Sequence, residues 1–246
     1  MTTPLVPPTR FFPTYLAFRP HDRHAETQSA FAHLPIRLIP YSIIDYVSVP
    51  YTAPGNTEQI DGIIITSARA IAHIPDLVAR YRDHPVFVVG TFTAEQARAR
   101  GFQNIRYTAP NAADLVLFLR NMKKGMFLFL RGDEVAHDFS GMPHQVLPII
   151  TYRSVPCKTL SKNILADLKK NKISGVLFFS AAHATHWKTL IDTQKPALPP
   201  GILSALCVSA RVLESARHPM FKDLITAPTS DLAGMVVALQ AYLDRT

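Results

Sequence analysis

The chain has 246 residues, 48% of them hydrophobic and 18% charged, with 26 Lys and Arg against 18 Asp and Glu for a formal charge of +8. That composition excludes a disordered chain, and the length allows one large domain or two small ones. The basic surplus favours an acidic partner such as nucleic acid, a phosphate or a polycarboxylate. The opening residues carry three prolines before Arg10 and no continuous apolar stretch, so they do not read as a secretory signal. No apolar run approaches the roughly 20 residues that a membrane-spanning helix needs.

Taken in chain order, the predicted elements alternate. Strands are expected at 60–66 and 85–90, a helix at 94–100, a strand at 102–108 and a helix at 114–122. The second half offers a helix at 159–170, strands at 173–179, 204–209 and 223–227, and a closing helix at 231–243. Near-continuous apolar strands of this length indicate parallel sheets covered on both faces, hence an α/β architecture.

The chain also repeats itself. Asp61-Gly-Ile-Ile-Ile-Thr-Ser-Ala matches Ser174-Gly-Val-Leu-Phe-Phe-Ser-Ala, and Leu16-Ala17-Phe18-Arg19 matches Leu128-Phe129-Leu130-Arg131. Tyr46-Val47-Ser48-Val49-Pro50 answers Tyr152-Arg153-Ser154-Val155-Pro156, and Thr108-Ala109-Pro110 answers Thr226-Ala227-Pro228. The same order recurs throughout, which defines two related halves at roughly 14–124 and 126–246.

In parallel sheets ligands bind beyond the carboxyl ends of the strands. Ser67, Gly90-Thr91, Ser180 and Ser209 fall there. Each is open to two readings. A small hydroxyl residue at a strand-to-helix turn is an ordinary helix N-cap; four in corresponding places point instead to an anion-binding cleft between two lobes. Cys157 and Cys207 follow no metal or redox spacing and read as reduced thiols of a cytoplasmic protein. His183 and His186, like His21 and His24, share a helix face without an evident third ligand, so no metal is expected. No zinc knuckle, helix-turn-helix or aromatic-interleaved basic motif supports a nucleic-acid partner. Glycine-rich phosphate loops are absent as well. Trp187 reads as packing on the helix after Ser180.

These residues resemble the uroporphyrinogen-III synthase family. The resemblance rests on Arg19-Pro20 after the first strand, Thr66-Ser67-Ala68-Arg69-Ala70, Val89-Gly90-Thr91-Phe92-Thr93-Ala94 with Gly101 beyond, Tyr152-Arg153-Ser154-Val155-Pro156, Phe178-Phe179-Ser180 and Ala227-Pro228. One segment departs from the pattern: at the second-half counterpart of Gly90–Ala94 the chain has Ser209-Ala210-Arg211-Val212-Leu213, without the paired threonines usual there.

The resemblance implies an α/β fold of two similar lobes with mostly parallel sheets flanked by helices, joined by a two-stranded linker and related by internal duplication. Lobe one would comprise 1–44 and 155–246, lobe two 48–150, and the crossing linker about 41–49 and 149–155. The implied activity is a cofactor-independent hydro-lyase of haem biosynthesis. It would cyclise hydroxymethylbilane with loss of water and invert ring D through a spiro intermediate. The implied partner is that linear tetrapyrrole, supplied by hydroxymethylbilane synthase, to a monomer working away from membranes and nucleic acid. Tyr152 would take the chemical role by hydrogen-bonding the leaving hydroxyl, although as a linker tyrosine with Tyr46 in the matching place it reads equally as packing. Ser67, Gly90, Thr93, Ser180 and Ser209 would bind substrate carboxylates, with Arg19, Arg69 and Arg131 as cationic contacts or surface arginines. The rival class is a non-catalytic two-lobed binding protein for a small polyanion.

Overall fold

The apolar runs read from the sequence become the inner strands of two parallel sheets. The computed structural model describes residues 12–245 except 56, 57, 73, 135–138, 140 and 197, so the proline-rich opening at 1–11 lies outside the described residues. The chain divides into two compact units, Met1–Asp45 with Pro156–Thr246 (unit one) and Tyr46–Val155 (unit two).

Unit one holds β1 (Thr14–Phe18), β2 (Arg37–Tyr41), β9 (Gly175–Phe178), β10 (Leu203–Cys207) and β11 (Phe221–Thr226). They form a five-stranded sheet in the order β11-β10-β9-β1-β2, with every neighbouring pair parallel. Unit two is built on β4 (Gly62–Ile65), β5 (Val86–Val89), β6 (Ile105–Ala109), β7 (Met126–Gly132) and β8 (Gln145–Pro156). With β3 (Ile44–Ser48) they make a sheet in the order β3-β8-β7-β4-β5-β6, parallel from β8 through to β6. Reading β1 against β7 and β9 against β4, the five parallel strands follow the same order in both units. The opening strand of each half pairs with the body of the other half. Strands β3 and β8 cross from one unit to the other.

A local reason for the repeated Gly at 62 and 175 is visible in each sheet. A Cβ at Gly62 would lie 2.6 Å from Phe87 Cε2, and one at Gly175 would lie 2.5 Å from Ser204 Oγ. In both sheets the side chain of the next strand passes over a position where no methyl fits. Strands β4 and β9 are wholly buried. They are the all-apolar runs expected of parallel strands covered on both faces.

The helices lie on those faces. Unit one carries α1 (His24–Phe31), α5 (Lys162–Lys169), α6 (Ala181–Gln194), α7 (Ala210–Ala216) and α8 (Leu232–Leu243); unit two carries α2 (Pro75–Tyr81), α3 (Thr91–Arg100) and α4 (Ala112–Arg120). Trp187 on α6 is fully buried 4.8 Å from the Phe18 ring, which itself stacks on Phe178 at 5.3 Å. In unit two, Phe87, Phe127, Phe129 and Phe139 pack beside Leu115 and Leu119 of α4. Among the described residues no helix is long and apolar enough to cross a membrane.

Candidate active site

Every parallel strand of unit two delivers residues to one cavity of about 420 Å³ at the carboxyl edge of the sheet. Thr66 and Ser67 follow β4, Val89 ends β5, and Pro110, Asn111 and Ala112 join β6 to α4. Phe129, Arg131 and Gly132 come from β7, Glu134 follows it, and Tyr152 comes from β8. This is where an open parallel sheet leaves room for a ligand.

Ser67 caps the 3-10 turn Ala68–Ile71, its Oγ accepting from the Arg69 N–H at 3.3 Å. The cap reading therefore holds, and the capping residue also lines the same cavity as Tyr152. Burial pushes the Tyr152 phenol above its ordinary value of 10.0, against the lowering pull of the Ser67 hydrogen bond and the Arg69 charge. At neutral pH the group is a protonated donor. Arg131 donates from Nη1 to the Asp133 carbonyl at 3.2 Å, which holds its guanidinium at the rim. Helix α4 begins in the wall: Asn111 caps it by accepting from the Asp114 N–H at 2.9 Å, and the positive end of the helix dipole lies at Ala112.

The clasp behind these residues is tight. Thr151, 3% exposed, donates from Oγ1 to the Ala70 carbonyl at 2.8 Å and so ties the turn bearing Ser67 to β8. The Asp133 N–H donates to the Tyr152 carbonyl at 3.0 Å. Asp133 Oδ1 in turn accepts from the backbone N–H groups of Glu134 and Ser154.

Of the residues singled out in the sequence, the fold thus gathers Ser67, Arg131 and Tyr152 in one cavity. Gly90 directly follows the cavity residue Val89, with φ +82° and open space where a Cβ would stand. Thr93 is buried on α3 and does not line the cavity. Arg69 does not line it either; its guanidinium lies 3.8 Å over the Tyr46 ring.

The other three belong to unit one. Arg19 follows β1, stacks 4.4 Å over the Phe179 ring and reaches Glu26 at 3.5 Å. Its Nε is buried without a partner among the described residues, and burial together with the nearby Arg23 charge pulls its pKa down from 12.5. Ser180 caps α6 through the His183 N–H and lies 2.8 Å from His183 Nδ1; Ser209 caps α7 through the Val212 N–H. His186 bonds the Cys157 carbonyl at 2.8 Å. Among the described residues no three His, Cys, Asp or Glu side chains gather to hold a metal ion.

Sequence reasoning missed Asn111, Gly132, Glu134 and Thr151. Asn111 had a signal, an Asn after Pro110 just before an apolar helical run. The other three had none.

A pair of parallel α/β units with repeated strand order, one with a donor-lined cavity at its strand ends, defines a duplicated α/β class of protein. Within that class, the family model of uroporphyrinogen-III synthase HemD matches residues 43–237, and the chain belongs to this family. In fold it is similar to a mutant uroporphyrinogen III synthase from Thermus thermophilus, with TM-score 0.62 and 14% identity over 95% of this chain and 100% of that one. It is also similar to the uroporphyrinogen-III synthetase of Helicobacter pylori, with TM-score 0.60 and 13% identity over 96% and 100%. No curated protein matches the chain by sequence. Family and fold together indicate a uroporphyrinogen-III synthase function in haem biosynthesis, with a tetrapyrrole as substrate.

Proposed function

We propose that the chain is a cofactor-independent hydro-lyase that cyclises hydroxymethylbilane to uroporphyrinogen III. The observation that carries this reading is a neutral, half-buried phenol, Tyr152, on a cavity that also presents Ser67, Arg131 and the start of α4. In the proposed reaction Tyr152 donates a hydrogen bond to the hydroxymethyl oxygen of ring A as the carbon–oxygen bond breaks. The oxygen takes the phenol proton and leaves as water, and the cation left on the ring A methylene attacks ring D at its substituted carbon. The spiro intermediate then fragments and recloses with ring D inverted, and the proton released on closure returns to the phenolate.

The chemistry is intrinsically easy, so the protein's main task is to hold one conformer, which is a large part of catalysis in such reactions. Four acetates and four propionates call for distributed donors rather than one strong site. Arg131 and the α4 N-terminus serve this need in unit two. Arg19 Nε, a buried donor without a partner among the described residues, and the Ser180 and Ser209 turns serve it at the strand ends of unit one.

The test is an isomer assay with freshly generated hydroxymethylbilane, the oxidised type I and type III porphyrins being separated by chromatography. Predominantly type III at catalytic protein concentration is the expected result. Type I alone, at the rate seen without protein, would sink the synthase reading and leave a polyanion-binding protein in its place.

A further inference from the structure

The residues around the Tyr152 ring form a clamp, Gly132 within the cavity lining and Tyr46 outside it. Gly132 is the register partner of Tyr152 across β7 and β8. A Cβ on Gly132 would stand 2.7 Å from Tyr152 Cζ, 2.8 Å from Cε2 and 3.0 Å from the hydroxyl oxygen. The backbone beside that contact is held, Asp133 N–H donating to the Tyr152 carbonyl and Thr151 being tied to Ala70. An added methyl would therefore turn the ring rather than shift the strand.

A second side is held by stacking. The Tyr46 ring meets Tyr152 edge-on at 5.7 Å, a favourable aromatic geometry. The Arg69 guanidinium lies over Tyr46 at 3.8 Å, well within cation–π range. The turn that carries Arg69 also follows Ser67, which lines the cavity with Tyr152. That segment thus holds the phenol's ring indirectly, through Arg69 and Tyr46.

We propose that Gly132, Tyr46 and Arg69 are positioning residues that aim the Tyr152 phenol, with Arg69 acting through Tyr46 and not on a substrate carboxylate. The inference rests on the synthase reading, in which that phenol meets the leaving oxygen.

The experiment is a cycle of Gly132→Ala and Tyr152→Phe, singly and together, with Arg69→Ala alongside, each assayed for kcat and KM of type III formation. Gly132→Ala lowers kcat by about 100-fold, the scale of a 1 Å misplacement, with KM little changed. In the Tyr152→Phe background the same substitution no longer matters, because no hydroxyl remains to misplace. Equal losses in both backgrounds, or no loss in the parent, overturn the proposal for Gly132. Arg69→Ala lowers kcat at constant KM; a raised KM at constant kcat places Arg69 on the substrate and removes it from the clamp.

A second readout stands apart from turnover. In protein labelled with 13C at the tyrosine ζ carbon, the Tyr152 resonance is assigned by its absence from Tyr152→Phe. Gly132→Ala and Arg69→Ala shift that resonance if the clamp is real and leave it unmoved if it is not. Type I porphyrin alone from the parent protein would defeat the synthase reading, while this resonance would still decide whether the clamp exists.

Discussion

At the carboxyl ends of β4 and β9 the two units carry the same Ser-tipped turn, Ser67 in one and Ser180 in the other, and each serine caps the element that follows. Their hydroxyls then go different ways. Ser67 lines the cavity that Tyr152 also lines, whereas Ser180 lies against His183 in its own helix. One strand further on, α3 starts from Gly90 with no side-chain cap, and α7 starts from Ser209 with one. The duplication preserved strand order and close packing at Gly62 and Gly175 because the core needs both. At the strand ends the residues differ between the units, with Gly90 uncapped in one and Ser209 capping in the other. The lesson is that the repeat locates the site and the departures from the repeat describe it.

The sharpest way to break this comparison is to remove the phenol. Tyr152→Phe should lower kcat for type III formation by about 10²–10⁴-fold, the range for loss of a positioned proton donor. The matching Ser180→Ala in unit one should leave the acid–base profile unchanged. Because burial raises the Tyr152 pKa, the alkaline fall in rate should be centred above the ordinary tyrosine value of 10.0. The sign follows from the acid being the active form: a raised pKa extends activity upward in pH. A fall centred below pH 10 would assign the titration to another group.

The next largest effect concerns stability. Trp187→Ala should cost about 3–5 kcal/mol in urea unfolding, as for other large buried aromatic deletions. Trp187 is fully buried against Phe18, which stacks on Phe178, and the hole it leaves in unit one is bounded by strands that cannot close in. A cost below about 1 kcal/mol would mean that α6 is packed far more loosely than these ring contacts imply.

How much of this was legible in the chain depends on the range of the contact. The alternating elements and the duplication were written in local apolar runs and could be read in order, while the exchange of opening strands came only with the family resemblance. Ser67 and Arg131 were legible as residues at strand ends, and Tyr152 as the tyrosine of the linker segment. Gly132 was not, since nothing near it in sequence shows that its Cα backs a ring 20 residues on, and that meeting depends on the register of β7 against β8. Arg69 was read as a cation at a strand end, which is all that its neighbours reveal. Its stacking on Tyr46 needs the turn folded and β3 in place beside β8. Asn111 stood between these cases, a visible cap whose position at a cavity was not visible.

The smallest effects come from exchanging the two unlike turns. Gly90 has φ +82° and ψ 142°, a conformation that a side chain adopts only under strain, and nothing lies within 4 Å of where its Cβ would stand. Gly90→Ser should therefore cost about 1–3 kcal/mol from backbone strain alone, with no steric term and little return from a cap. Ser209 has φ −159° and ψ 163°, extended backbone that glycine adopts freely. Ser209→Gly should cost only a few tenths of a kcal/mol, roughly the loss when a serine cap is replaced by glycine. Paired urea titrations would measure the two. Equal costs would mean that the left-handed turn at Gly90 relaxes on substitution, and that the contrast between the two helix starts is not built into the backbone. A larger cost at Gly90 would locate the difference in the chain itself: unit two keeps a turn that only glycine holds without strain, beside the cavity, where unit one has settled for an ordinary cap.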